Sequence, residues 1–299
     1  MIYLSHFGLR EPPFGITPDT AFFYSCTGIQ DALDTLVVAV ANGEGFIKIT
    51  GDVGTGKTLL CRKFLASLDE NWVSAYIPNP VLDPRALLLA LAEELGATPG
   101  EGLDQHHLIK SLNLALLNLA RQRKRVVVCL DETQAMPIES LEALRLLTNL
   151  ETEKRKLLQV VLFGQPELDQ RLAANSVRQL RQRITFQHHL ERMTRAEAGR
   201  YLSHRLAVAG YRGGPVFTAP AVHAVYAASR GVPRLINIIA NKAMMLAYGE
   251  GGRKVRWHHV REAVRDTPAA AMTARLWVMG VMAGLACVAG SGIGWLILR

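Results

Sequence analysis

This chain of 299 residues has little cysteine. Its four cysteines include no Cys-x-x-Cys pair, which argues against a cysteine-ligated zinc module and against a disulfide-built domain. We expect reduced, mostly buried thiols, as in a cytoplasmic protein. Three pairs of adjacent histidines begin at residues 106, 188 and 258. Neighbouring side chains point apart, so the sequence predicts no histidine metal site.

A signal peptide is also lacking, because Met1–Arg10 contains no long apolar run. Charge is missing from one long segment, Leu276–Leu298, which has 23 residues without a charged side chain. At about 1.5 Å per helical residue, this segment is long enough to cross the hydrocarbon core of a bilayer. The sequence therefore predicts one transmembrane helix, with Trp277 and Trp295 near its two ends.

Basic residues are distributed unequally around the predicted membrane helix. Only Arg299 follows it, whereas six basic residues precede it closely: Arg253, Lys254, Arg256, Arg261, Arg265 and Arg275. Cytoplasmic flanks of membrane helices are enriched in Lys and Arg. This pattern predicts a single-pass protein of the inner (cytoplasmic) membrane, with residues 1–275 in the cytoplasm.

The net charge is +8, from 34 basic and 26 acidic residues. A basic balance permits contact with nucleic acid or with anionic lipid and establishes neither. The charge is local, because residues 171–212 contain nine arginines and only two acids.

Short apolar segments alternate with helical patterns over the first two thirds of the chain. The predicted strands are 46–50, 72–77, 125–130, 157–163 and 184–188. Residues 168–182, between the last two strands, are predicted to form one helix. Such alternation predicts an α/β fold whose five-stranded parallel sheet is covered by helices on both faces. Only helical patterns follow His189, beginning with a capping box at Thr194–Glu197.

These patterns divide the chain into five predicted parts. They are an amino-terminal arm packed on the core (1–30), the α/β core (31–190), a small helical lid domain (191–266), a linker (267–275) and the transmembrane helix (276–298). The arm is rich in aromatic residues and prolines, which indicates an irregular segment packed on a surface.

A glycine-rich loop, Gly51-Asp-Val-Gly-Thr-Gly-Lys-Thr58, connects the first predicted strand to a helix. Glycines allow the backbone to turn so that its N–H groups face phosphates, and the lysine adds a positive charge. The threonine hydroxyl is a ligand for Mg²⁺, and the following helix points its positive end at the phosphates. The predicted ATP-binding residues are Gly51, Gly54, Thr55, Gly56, Lys57, Thr58, Leu59 and Asp131.

Two carboxylates end the apolar strand Val126–Leu130. Asp131 is predicted to hold Mg²⁺ indirectly, through water or through Thr58. Glu132 is predicted to orient and polarise the water that attacks ATP. A helix-capping Asp-Glu pair is the alternative reading, and the glycine loop argues against it.

Further catalytic positions are predicted from their places along the chain. Gln165, just after the fourth strand, is a candidate first sensor of the γ-phosphate. Arg183, with Arg181 as the alternative, is a candidate arginine finger that reaches a neighbouring subunit. Arg234 begins a helix in the lid domain and is a candidate second sensor, since a cation there is otherwise unfavourable for the helix dipole.

Together these motifs resemble the ExeA-type ATPases, the general secretion pathway protein A family within AAA+. The resemblance covers about residues 1–266 and is carried by Tyr3-Leu-x-x-Phe-Gly-Leu-x-x-x-Pro-Phe14, Thr17-Pro-Asp19, Gly45-Phe to Lys57-Thr58, Asp131-Glu132, Gly164-Gln-Pro-Glu-Leu168 and Gly231-x-Pro-Arg234. Within the family, the short form that ends at a membrane helix is similar to ATPases of MSHA-type (type IV) pilus biogenesis. The family commonly has Asp-Glu-Ala-Gln where this chain has Asp131-Glu-Thr-Gln134.

The resemblance implies a Mg²⁺-dependent, cytoplasmic AAA+ ATPase that assists assembly of an envelope-spanning secretion or pilus complex. The implied partners are further copies of the chain and inner-membrane assembly proteins. Secretion-type relatives continue into a peptidoglycan-binding domain, and a cell-wall role is not expected for a chain that stops at Arg299. A DNA-handling AAA+ protein of the transposition-helper type is the alternative, against which the membrane helix argues. A scaffold that binds ATP without turnover is a third reading, against which Glu132 argues.

Overall fold

The computed structural model describes residues 2–97, 104–148, 151–152, 155–268 and 270. The chain forms two compact units, which we call the α/β unit and the helical unit. The α/β unit is Pro18–Glu191, and the helical unit combines residues 2–17 with the described residues from Arg192 onward. The predicted transmembrane helix and most of the predicted linker lie outside the described residues.

The strands in chain order are β1 Phe46–Gly51, β2 Trp72–Ile77, β3 Arg125–Leu130, β4 Glu151–Thr152, β5 Arg155–Lys156, β6 Gln159–Gly164 and β7 Ile184–Leu190. The α-helices are α1 Leu4–Phe7, α2 Thr27–Ala41, α3 Lys57–Ala66, α4 Pro84–Glu94, α5 Gln105–Arg121, α6 Ile138–Leu147, α7 Glu167–Leu172, α8 Arg178–Arg181, α9 Arg195–Val208, α10 Ala219–Ser229, α11 Pro233–Gly249 and α12 Trp257–Arg265. Short 3₁₀ turns occupy Thr20–Phe22, Thr133–Ala135 and Asn175–Val177.

The α/β unit is built on a five-stranded parallel sheet with the order β2-β3-β6-β1-β7. This confirms the predicted α/β fold with its parallel sheet. Strands buried on both faces need apolar side chains at successive positions, and β3 and β6 meet this requirement almost throughout. Because β6 lies between β1 and β3, the segments that follow these three strands meet at one edge of the sheet. Cys61 and Cys129 are buried and unpaired by disulfides, as expected.

Two details of the α/β unit differ from the sequence prediction. Residues 168–182 were predicted to form one helix, but α7 ends at Leu172 and a 3₁₀ turn precedes α8. The break lies at Ala174, whose extended backbone (φ −61°, ψ 143°) precedes Asn175 and Ser176, residue types that favour turns. The short antiparallel pair β4–β5 was not predicted.

The helical unit contains α9 to α12, in agreement with the helical patterns after His189. The predicted capping box is present, because the Glu197 carboxylate accepts from the backbone N–H of Thr194 at 2.8 Å and the Glu197 N–H donates to the Thr194 hydroxyl. Gly231 links α10 to α11 with a left-handed φ of +76°. The Gly231 carbonyl accepts from the N–H of Met193 at 3.0 Å, which joins this turn to the segment before α9.

The prediction that residues 1–30 pack on the core is wrong for their first half. Tyr3 is fully buried, and its hydroxyl donates to Asn241 of α11 at 2.5 Å. The Arg10 N–H donates to the carbonyl of Ala209 at 2.8 Å. Residues 2–17 thus belong to the helical unit, because their aromatic side chains are buried against its helices. Only the second half of the arm, from Pro18, belongs to the α/β unit.

Among the described residues, no helix combines the length and the apolar character needed to cross a bilayer.

Candidate functional site

The glycine-rich loop turns from β1 into α3 through two residues with left-handed backbone, Gly54 (φ +82°) and Gly56 (φ +103°). Side chains disfavour this region, so glycine is needed at both positions. Gly51 is required for a different reason, because a Cβ atom there would lie 2.9 Å from the Leu190 Cβ and from the Thr55 hydroxyl. The loop is therefore shaped by its sequence to leave backbone N–H groups at the start of α3.

Lys57 is 5% exposed and curls back over the loop. Its ammonium donates to the carbonyl oxygens of Gly51 at 2.8 Å and Asp52 at 3.0 Å. Burial lowers the pKa of Lys57, and the nearby carboxylates of Glu132 and Asp131 oppose this effect. A cation held in a partly dehydrated loop is suited to attract the oxygens of a polyphosphate.

Thr58 and Asp131 are in direct contact. The Thr58 hydroxyl donates to Asp131 Oδ2 at 2.5 Å, and the Asp131 Oδ1 accepts from the Glu132 N–H at 2.9 Å. Asp131 is 2% exposed, and burial raises its pKa while these two hydrogen bonds oppose the rise. A hydroxyl and a carboxylate are hard oxygen ligands, which Mg²⁺ prefers. The pair therefore fits the predicted magnesium site.

Glu132 has a left-handed backbone (φ 53°, ψ 35°), which is uncommon for a residue other than glycine. Its carboxylate accepts hydrogen bonds from two side-chain amides, Gln134 Nε2 at 2.5 Å and Gln165 Nε2 at 3.0 Å. The Gln165 N–H in turn donates to Gln134 Oε1 at 3.0 Å. Strained backbone at a site is maintained only when the surroundings fix it, and the two amides fix the orientation of this carboxylate.

Gln134 was given no role from the sequence, although its position in Asp131-Glu-Thr-Gln134 was the available signal. Its loop is held by Arg171 of α7, whose guanidinium donates to the carbonyls of Gln134 at 2.7 Å and Met136 at 2.6 Å. Thr133, where the related family commonly has alanine, donates its hydroxyl to the Phe163 carbonyl at 2.8 Å. These contacts join the segment after β3 to β6 and α7.

The two candidate finger arginines are in different environments. The Arg183 guanidinium lies against the end of α6 and donates to the Arg145 carbonyl at 3.3 Å and to the Thr148 hydroxyl at 3.4 Å. Arg183 is therefore a second donor to the Arg145 carbonyl at a helix C-terminus, where carbonyls need donors, because the Thr148 hydroxyl also donates to it at 2.9 Å. Arg181, at the end of α8, is exposed, and within the described residues no hydrogen bond or ion pair engages its side chain.

The remaining predicted residues lie where the sequence placed them along the chain. Thr55 belongs to the loop, and Leu59 belongs to the first turn of α3. Arg234 is in the first turn of α11, after Pro233, and belongs to the helical unit. Its role as a second sensor stays a prediction.

One pair of adjacent histidines contacts the same carboxylate, although neighbouring side chains were expected to point apart. Ligand atoms of Glu250, His258 and His259 lie within 4.8 Å of one another. However, His259 Nδ1 accepts from the Arg256 N–H at 2.9 Å, so the proton of the neutral ring lies on Nε2, which donates to Glu250 at 2.8 Å. A metal at Nε2 would need this proton to leave, so the cluster is better explained as the cap that begins α12.

Known proteins resemble this chain in sequence and in fold. Residues 40–172 match the model of an AAA domain family. General secretion pathway protein A of Aeromonas hydrophila is 38% identical over 294 residues, which cover 98% of this chain and 53% of that protein. The chain thus spans about half the length of this curated relative. The resemblance to the general secretion pathway protein A family is confirmed at this level.

Solved structures share the fold at low sequence identity. Cdc6p from Pyrobaculum aerophilum is 18% identical, with a TM-score of 0.63 over 83% of this chain and 70% of that chain. The Aeropyrum pernix ORC2 protein in ADPNP-ADP complexes is 17% identical, with a TM-score of 0.61 over 85% and 72%. The Thermotoga maritima RuvB Holliday junction branch migration motor is 16% identical, with a TM-score of 0.54 over 81% and 69%. At these identities the likeness supports the fold and nothing more specific.

Proposed function

We propose that this chain is a membrane-anchored AAA-type P-loop ATPase that hydrolyses ATP to assist assembly of a type IV pilus or secretion complex in the bacterial envelope. The observation that carries the enzymatic part is the contact of Thr58 with Asp131 beside an oriented Glu132. A loop that only held phosphates would not need two carboxylates at the end of β3, one of which, Asp131, is buried.

Each side chain has a separate task in this proposal. The loop N–H groups and Lys57 bind the phosphates of ATP, and Thr58 with Asp131 would hold Mg²⁺, which neutralises charge on the phosphate oxygens when bound. Glu132 accepts a hydrogen bond from the attacking water and aligns it with the γ-phosphate. Gln165 donates to Glu132 and so orients it, and we propose that Gln165 also senses the γ-phosphate from its position after β6.

The membrane part of the proposal depends on Leu276–Leu298, whose sequence has no charge, and on the basic residues before it. The envelope process depends on the relative's name, general secretion pathway protein A, and on the pilus-type resemblance of the sequence motifs. Because the chain spans about half of that relative, the assembly role and its partners are part of the proposal.

We further propose that the site is shared between subunits, with an arginine of one subunit stabilising the transition state in its neighbour. The environments of the two candidates favour Arg181, because Arg183 already donates to α6 and an exposed arginine is the one available to another chain. Arg234 is proposed to respond to the bound γ-phosphate from the helical unit.

The structure removes only part of the basic surface on which the DNA-handling alternative depends, because six of the nine arginines in residues 171–212 are exposed. The basic stretch 171–212 suggested a nucleic-acid surface, but three of its arginines donate within the protein. Arg171 binds the loop after Glu132, Arg183 binds the end of α6, and Arg205 is buried and donates to the Pro13 carbonyl. Arginines engaged in this way are not available to phosphates of DNA.

A pair of substitutions tests the enzymatic part. Lys57→Ala is expected to abolish nucleotide binding, whereas Glu132→Gln keeps binding and lowers the turnover rate by about 10²- to 10⁴-fold, because it removes the group that activates water. Fluorescent-nucleotide binding and phosphate release on the full chain measure both. Normal turnover in Glu132→Gln would overturn the assigned role. Carbonate extraction of membranes tests the anchor separately, and full extraction of the protein would contradict it.

A further inference from the structure

The helical unit has an exposed group of cations around a tryptophan, which we call the basic ridge. The basic ridge consists of six exposed residues: Arg253, Lys254, Arg256, Trp257, Arg261 and Arg265. Trp257 is 51% exposed, an unusual position for a large aromatic side chain. The ridge has no task in the ATPase site described above.

Helix α12 presents part of the ridge on one side. Trp257, Arg261 and Arg265 are spaced four residues apart and so lie along one face of the helix. The buried residues, His259, Val260 and Ala263, lie on the opposite face. The side of α12 that faces solvent therefore combines one indole ring with two guanidinium groups.

The segment before α12 adds further cations. Val255 is fully buried and forms a bridge with Phe217 in extended backbone. Side chains alternate in extended chain, so Lys254 and Arg256 point away from the side on which Val255 is buried. The chain is thus constrained to expose these two cations immediately before the helix begins.

The carboxylates of this region do not neutralise the ridge. Glu262 pairs with Arg265 at 2.9 Å and with Arg261 at 3.3 Å, and Asp266 pairs with Lys242 at 2.8 Å. Within the described part of the chain, no ion pair engages the three remaining cations, Arg253, Lys254 and Arg256. The ridge therefore carries excess positive charge that an anionic surface would complement.

Trp257 indicates which kind of anionic surface fits. The Arg261 guanidinium lies 5.0 Å from the centre of the indole ring, which pairs a cation with an amphipathic aromatic group. Indole rings are favoured at the headgroup level of membranes, where one part of the ring is apolar and the other is wet. A nucleic acid would use the cations, but duplex phosphates alone do not explain the exposed tryptophan.

The position of the ridge in the chain supports the same partner. Helix α12 ends at Arg265, and the uncharged segment begins at Leu276. Eleven residue steps reach at most roughly 40 Å in extended chain. If that segment crosses the bilayer, as the proposed function holds, the end of α12 stays within this distance of the cytoplasmic headgroups.

We propose that the basic ridge binds the anionic headgroups of the cytoplasmic leaflet and so holds the helical unit on the membrane surface. This inference rests on the anchoring part of the proposed function. It adds a second, electrostatic contact to the anchor, and the lipid class it requires is an acidic phospholipid such as phosphatidylglycerol.

The test uses the full chain in nanodiscs of phosphatidylcholine, alone or mixed with phosphatidylglycerol. A photoreactive phenylalanine replaces Trp257, and mass spectrometry detects lipid adducts at that position. We expect several-fold more adducts with phosphatidylglycerol present, decreasing as salt is added. The double substitution Arg253→Glu/Lys254→Glu is expected to lower the yield at least about fivefold, since each basic residue near an anionic surface favours binding by about that factor.

The matched control reverses two exposed cations of the α/β unit, Arg121→Glu/Arg123→Glu, and is expected to leave the adduct yield unchanged. Quenching of tryptophan emission by brominated lipid gives a second measurement without the photoreactive group. The Trp257 contribution is the difference between wild type and Trp257→Phe, and we expect it to be quenched in the mixed nanodiscs.

The failures of the two proposals are distinguishable. Loss of the chain on carbonate extraction would contradict the anchor, whereas an anchored chain with neither adducts nor quenching at residue 257 would overturn only the ridge proposal. Equal adduct yields with and without phosphatidylglycerol would also overturn it. Salt-sensitive binding of a DNA duplex that Arg253→Glu/Lys254→Glu abolishes, without lipid adducts, would assign the ridge to nucleic acid instead.

Discussion

The side-chain amide of Gln165 donates to the carboxylate of Glu132 across 3.0 Å, although the two residues are 33 positions apart in the chain. They meet because β3 and β6 are neighbours in the parallel sheet and both end at the same edge. The contact links the residue expected to activate water with the residue expected to sense the γ-phosphate. A change at either one is therefore transmitted to the other, both through this hydrogen bond and through Gln134, which contacts both residues.

We expect Gln165→Ala to lower turnover by about 10- to 100-fold while nucleotide affinity stays close to wild type. Loss of a hydrogen bond to a charged group costs about 1.5–3 kcal/mol, which corresponds to this range of rates if the bond matters in the transition state. Phosphate release and nucleotide binding on the same preparation measure the two effects. Gln170→Ala, an exposed glutamine on α7, is the matched control and should change neither.

An equal loss in nucleotide affinity and in turnover would assign Gln165 to ground-state binding of the phosphates instead. Unchanged kinetics would remove it from the site altogether, and Gln134 alone would then orient Glu132.

Arg181→Ala and Arg183→Ala are expected to separate activity from stability. Arg181 is exposed, so its loss should leave the melting temperature unchanged and lower turnover by about 10³-fold or more if it completes a neighbouring site. Arg183→Ala removes one of the two side-chain donors to the Arg145 carbonyl at the end of α6 and should cost about 0.5–1.5 kcal/mol of folding free energy. Calorimetry and ATPase assays measure the two quantities.

Mixing the variants tests whether the site is shared. Arg181→Ala protein has an intact loop, and Lys57→Ala protein has an intact Arg181, so a mixed assembly contains some complete sites. We expect partial recovery of activity that depends on the mixing ratio. Absence of recovery at every ratio would argue against a finger at Arg181. Recovery only when Arg183→Ala takes the place of Arg181→Ala in the mixture would assign the finger to Arg183, which the sequence favoured.

Much of the α/β unit could be predicted because its sequence pattern is dictated by burial. Strands such as β3 need apolar residues on both faces, and the glycine loop needs Gly54 and Gly56 for its left-handed turns. The contacts of Glu132 could not be predicted in full. They depend on its positive φ, which no local pattern specifies, and on Gln134, whose place in Asp131-Glu-Thr-Gln134 was a signal that the sequence prediction did not use.

The misplaced half of the arm has a different cause. An aromatic segment such as residues 2–17 must be buried, but its composition does not say against which surface. That choice depends on contacts across more than two hundred positions, as between Tyr3 and Asn241. The role of Arg183 was missed for a related reason, because the unpaired carbonyls at the end of α6 are a property of the folded chain.

Gly231→Ala is expected to destabilise the helical unit by about 3 kcal/mol or more. The residue has a φ of +76°, and a Cβ atom would lie 2.0 Å from the Met193 carbonyl oxygen, which is backbone and has little freedom to move. Gly249→Ala is the control of opposite sign. Gly249 is the last residue of α11, and a Cβ atom there would meet nothing within 4 Å. Alanine at this position should therefore be neutral or stabilise the protein by up to about 1 kcal/mol. Urea unfolding of both variants measures the difference, and equal stabilities would contradict the geometry of the turn.

Tyr3→Phe tests whether the arm belongs to the helical unit. Tyr3 is fully buried, its hydroxyl donates to Asn241, and burial raises the pKa of Tyr3 from 10.0 to about 12. Between these two values the folded protein keeps a proton that the unfolded chain releases, so the free energy of unfolding falls as pH rises through this window. The stability contributed by the neutral hydroxyl is complete below pH 10 and is lost by about pH 12. A pKa difference of this size corresponds to a loss of roughly 3 kcal/mol.

Tyr3→Phe lacks the titrating hydroxyl and should not show this part of the alkaline loss. At neutral pH the variant is expected to be less stable than wild type by about 1 kcal/mol, because Asn241 loses its donor. Between pH 10 and 12 the difference in free energy of unfolding should shrink and then reverse. At position 3 only wild type has a phenol, which the folded state must keep protonated while the unfolded chain ionises it. Urea titrations across this range measure the crossing. If the free energy of unfolding depended on pH in the same way for both proteins, Tyr3 would be solvated in the folded state. The arm would then not be packed against the helical unit.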